Sequence, residues 1–182
     1  MLKSRQVKTW FNMEEKIINK VQNSSIITLD LNDYYVEGDR AIVDLKDNLE
    51  KGFLLREKDF REFVKQHDWE QYREKFVAVH CSADAIVPKW AYMLIASKLS
   101  GVAKKVVFGN EEELESKLFL AQIENINPVD YRDSKVVVKG CGKIDTPASV
   151  FMEISNILTP YVSSLMYGEP CSTVPIYKKP KN

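Results

Sequence analysis

The 182-residue chain is poor in residues that announce specialised chemistry: two histidines, three cysteines, seven glycines and seven prolines. Three cysteines do not suggest a disulfide framework in a chain of this size. No apolar run approaches the roughly 20 residues that span a bilayer. The opening MLKSRQVKTWFNMEEK is basic but has no apolar stretch behind it, so no secretory signal is expected. Walker, GxGxxG, HExxH and GxSxG motifs are missing as well. Net charge is also lacking, because 26 basic and 26 acidic side chains cancel. The first eight and last five residues each carry +3, leaving −6 between them. A body of that sign argues against a nucleic-acid groove, which needs clustered cations. These absences lead to an expectation of a cytoplasmic protein with reduced thiols, no membrane span and no nucleic-acid partner.

What the chain does contain is a repeat. YREKFVAVHCSADAIVPKWAYMLIASKL, from Tyr72, lies without gaps over YRDSKVVVKGCGKIDTPASVFMEISNIL, from Tyr131, at an offset of 59 residues. Tyr72, Arg73, Val77, Val79, Pro88, Met93, Ile95 and Leu99 each meet an identical residue. This reads as an internal duplication of residues 52–110 and 111–169. Each copy predicts an amphipathic helix (59–67 or 113–123) and then a buried β-branched strand, FVAVH or KVVVK. A loop ending at Pro88 or Pro147 leads into a second helix, and KKVVFG or SSLMYG supplies a second strand. Such alternation predicts right-handed crossovers and a mainly parallel sheet. The expected fold is a three-layer α/β domain over residues 13–182. It opens with an N-terminal helix, MEEKIINKVQNS, and IITLDL and AIVDL form an antiparallel hairpin at one edge. Residues 1–12 read as a flexible extension.

The repeat gives the cysteines a common setting. Cys81-Ser82 aligns with Gly140-Cys141 at the ends of equivalent strands, and Cys171 follows the last strand in GEPCSTVP. In open parallel sheets, ligands bind beyond the carboxyl ends of the strands. Thiolates with an imidazole suit zinc or an iron–sulfur centre. Cys81, Cys141 and Cys171 would be three ligands, with His80, Asp84, Glu169 or water completing the set. A second reading makes Cys81 a nucleophile, with Ser172, Thr173 and backbone N–H groups holding an anion. A third leaves the cysteines as small packing residues in a structural adaptor. Strand parity sends His80 and Cys81 to opposite faces unless the strand has already ended. Trp90, Tyr92, Met93 and Ile95 read as core or interface positions. Asp30, Asp33, Glu37, Asp39, Asp44 and Asp47 read as a solvated edge. Homodimerisation through an edge strand or helix is compatible with such a body.

The segments DLKDNLEKGFLLREKDFREFVKQHDW, HCSADAIVPKWAYMLIASKL, VVVKGCGK and MYGEPCSTVPIYKK resemble a family of Bacteroidetes proteins, the domain of unknown function numbered 2480. The resemblance covers residues 13–179 and brings no activity with it. It implies a context, because relatives resemble neighbours of SUF iron–sulfur assembly genes. Partnership with SUF-type iron–sulfur assembly proteins is therefore the expectation. It attaches to His80-Cys81-Ser82, Gly140-Cys141 and Gly168-Glu169-Pro170-Cys171-Ser172.

Overall fold

The computed structural model describes residues 26–140, 142 and 144–180. The expected N-terminal helix, the extension over 1–12 and Cys141 lie outside them. The described chain runs β1 (Ile26–Asp30), β2 (Arg40–Asp44), α1 (Glu57–Gln66), β3 (Phe76–His80), α2 (Lys89–Leu99), β4 (Lys105–Phe108) and α3 (Glu111–Ile123). It continues through β5 (Lys135–Lys139), α4 (Ala148–Leu158), β6 (Ser164–Glu169) and β7 (Ser172–Lys178). The class is mixed α/β with mostly parallel strands, as expected.

One expectation needs correction. The strands form two sheets, ordered β2-β3-β4 and β1-β5-β6-β7. β1 and β2 are not hairpin partners. β1 lies parallel to β5, and β2 lies parallel to β3. The reason is visible where each strand ends. Asp30 and Asp44 cap short 3-10 turns, Leu31–Tyr34 and Leu45–Asn48, by accepting N–H groups two residues on. Leu31 and Leu45 are then fully buried in separate clusters. Each strand and turn is a complete edge unit for its own sheet. Between β2 and α1, Leu54 makes isolated bridges to Glu50 and Ile86.

α3 lies between the two sheets. Leu114 and Leu118 pack on Phe76, Ala78 and Val107 of the first sheet. Phe119 and Ile123 join Val136, Val138 and Leu165 of the second. Each pair is spaced i, i+4, so one helix presents two apolar stripes. α1 and α2 cover the other face of the first sheet through Val43, Val77 and Val79, while α4 joins α3 on the second. Among the described residues the order is helices, sheet, helices, sheet. At the centre, Phe76 to Val79 of β3 are all buried.

α3 is anchored at its start by a reciprocal cap. Asn110 accepts the Glu113 N–H at 3.0 Å, and the Glu113 carboxylate accepts the Asn110 N–H at 2.7 Å. Gly109, at φ 132°, makes room for it, since a Cβ there would lie 2.4 Å from the Glu113 carboxylate. No helix among the described residues is long and apolar enough to cross a membrane.

Candidate functional site: a cleft between the two sheets

A cavity of about 860 Å³ opens where the carboxyl end of the first sheet meets the first turns of α3 and α4. Ile42 and His80 come from the sheet, and Glu111, Glu112 and Glu115 from α3. Asp145, Thr146, Pro147, Ala148 and Phe151 approach α4 or belong to it. The cleft therefore needs both halves of the molecule.

Its carboxylates are not equivalent. Glu115 accepts a two-pronged ion pair from Arg40, at 2.6 and 3.1 Å, which also raises the guanidinium's affinity for its proton. Arg40 stacks over Tyr35 and Phe76, so its position is fixed. Glu111, Glu112 and Asp145 make no ion pair among the described residues. Thr146 is only 8% exposed, and its hydroxyl has no hydrogen-bond partner among the described residues. A buried, unmade hydroxyl bond is costly, so this group has bonding capacity to spare. α4 also starts at Pro147 without any side-chain cap.

His80 borders the cleft, 4.0 Å from the Asp44 carboxylate. Burial opposes ionisation of Asp44, but Ser82 overcomes it by donating its hydroxyl at 2.6 Å and its N–H at 3.0 Å. With the Lys46 N–H and nearby His80, these bonds hold Asp44 well below the usual carboxylate range. The carboxylate stands between serine and histidine. Nucleophilic chemistry at Ser82 would need the histidine in that middle position. The arrangement is a clamp on the strand end.

The other residues singled out from the sequence are spread over the fold. Cys81 packs on the α1–α2 side with Val77 and Val79, while His80 follows Phe76 and Ala78 toward α3. The Cys81 thiol points at the Ala83 carbonyl, 3.7 Å away. Cys171 is exposed in the tight turn between β6 and β7. Ser172 and Thr173 pair in β7 with Glu169 and Gly168. Glu169 accepts an ion pair from Lys139 at 3.1 Å, and Asp30 lies 3.7 Å from the same ammonium. Among the described residues, no three His, Cys, Asp or Glu side chains gather as metal ligands.

Sequence reasoning missed Glu111, Glu112, Asp145 and Thr146. One signal was present at the offset of 59 residues, where Ile86-Val87-Pro88 is replaced by Asp145-Thr146-Pro147. Two apolar residues give way there to two polar ones beside a proline present at both positions.

Residues 15–179 match the family described as Protein of unknown function (DUF2480). The chain belongs to that family. No curated protein and no solved structure matches it. The family description names no chemistry, so the DUF2480 chain must be read from its cleft.

Proposed function

We propose that this DUF2480 protein binds a small organic molecule carrying a cationic group, held in the cleft between the sheets. The observation that carries the reading is the set of carboxylates without an ion pair among the described residues, Glu111, Glu112 and Asp145, around a Thr146 hydroxyl that has no hydrogen-bond partner among them. The carboxylates favour an ammonium or guanidinium, and because all three are exposed that attraction weakens with added salt. Thr146 would hydrogen-bond a polar group on the same ligand, and Ile42 and Phe151 would take its apolar part.

The test is a thermal-stability panel of n-butylguanidinium, n-butylammonium and butyrate. A ligand at 100 times its Kd stabilises the fold by about 2.7 kcal/mol. The two cations should raise Tm, butyrate should not, and the effect should disappear in E111Q/E112Q/D145N. Equal stabilisation by butyrate, or cation binding that survives all three substitutions, would contradict the reading.

Metal or iron–sulfur handling through Cys81, Cys141 and Cys171 is a competing proposal, with Zn or Fe as cargo and SUF-type proteins as partners. It predicts near-stoichiometric metal in protein purified without oxygen, reduced by serine at any of the three positions. Unchanged metal content in all three variants would remove it.

A further inference from the structure

The two sheets end differently on one side. β6 carries β7 as an antiparallel neighbour, whereas β4, at the equivalent place in the first sheet, has no outer neighbour among the described residues. The surroundings match at the offset of 59 residues. Tyr92 meets Phe108 edge-on with centroids 5.0 Å apart, and Phe151 meets Tyr167 likewise at 5.5 Å. Val79, Ala96 and Val106 line a groove beside β4, and Val138, Ser155 and Leu165 line its counterpart. In the second groove Ile176 of β7 supplies one wall.

Exposure registers what is missing. Phe108 is 68% exposed and Tyr167, beside β7, only 36%.

Charge completes the comparison. Asp133, at φ 54°, accepts an ion pair from Lys179 at 2.9 Å, and the Lys179 N–H bonds the Ser163 carbonyl. Glu74, at φ 59°, occupies the equivalent corner, and its carboxylate has no partner among the described residues. Lys105 stands where Ser164 faces Lys178.

We infer that the outer edge of β4 accepts an antiparallel strand from a partner protein. That strand carries an aliphatic β-branched residue against Val106 and Phe108, then an acidic residue facing Lys105, then a lysine or arginine against Glu74. Backbone hydrogen bonds along an open edge supply affinity, and the groove and charges supply selection.

The probe is the labelled peptide STVPIYEK, the β7 sequence with Lys178→Glu, titrated into the full chain by fluorescence anisotropy. Saturable binding is expected, roughly fivefold tighter than for STVPIYKK, and roughly fivefold weaker on Glu74→Lys. Phe108→Ser, at an exposed position that does not endanger folding, should weaken it roughly tenfold. A scrambled peptide that binds equally, or affinity unchanged by both substitutions, would overturn the proposal. So would sedimentation showing self-association that Phe108→Ser abolishes, since a second copy would then occupy the edge.

Discussion

At the carboxyl end of the second sheet, Lys139 lies between Asp30 and Glu169, and its charge is matched locally. At the same level of the first sheet, His80 takes the place of that lysine. Asp44 is held by Ser82, and His80 borders the large cleft. Equivalent strand ends thus have different uses. One is closed by its own ion pairs, and the other opens toward carboxylates contributed by α3 and by the approach to α4. Two sheets of similar build can thus end differently, with only one of them leaving a free polar surface.

The largest expected effect tests whether the halves are one unit. Leu118→Ala loosens α3 from the first sheet, and Phe119→Ala loosens it from the second. Each should cost about 2–5 kcal/mol in chemical denaturation, with a single transition retained. Two separable transitions in either variant would mean that α3 does not couple the sheets.

Next comes the strand-end clamp. Asp44→Asn removes an ionised acceptor of three hydrogen bonds and should cost about 1–2 kcal/mol at neutral pH. Because folding lowers the affinity of Asp44 for its proton, its contribution is fully present above the unfolded carboxylate value, about 3.9. It is lost as pH falls from there through the lower folded value. The gap between wild type and variant, followed by denaturation from pH 7 downward, should therefore close in acid. A gap that widens in acid would give the shift the wrong sign.

Lys139→Met should be milder still. Its partners are solvent-accessible, so salt already screens them, and the fall in Tm should be smaller than for Asp44→Asn and should shrink further in high salt. A larger loss than at Asp44 would reverse the ranking of the two strand ends.

The parts of this fold that were legible in the sequence are those governed by local chemistry. The β-branched runs of β3 and β5 and the helices α2 and α4 stand where periodicity and the 59-residue offset put them. The partition into two sheets was hidden because strand neighbours are chosen by tertiary packing. Asp30-Leu31 and Asp44-Leu45 share a strand-ending signature, and the Glu37-Gly38-Asp39 turn between them suggested a hairpin instead. β7 was hidden by Pro175, which is tolerated only because the strand lies at an edge beside a register shift. Of the cleft, only His80 was legible. Its carboxylates and Thr146 come from two segments about 30 residues apart, and no local pattern links them.

The most direct measurement is an amide NMR titration with n-butylguanidinium, repeated with butyrate. The account predicts saturable shifts at His80, Glu112, Thr146 and Ala148 together, from the cation alone. Equal shifts with butyrate, or cation-induced shifts confined to residues away from the cleft, would contradict it.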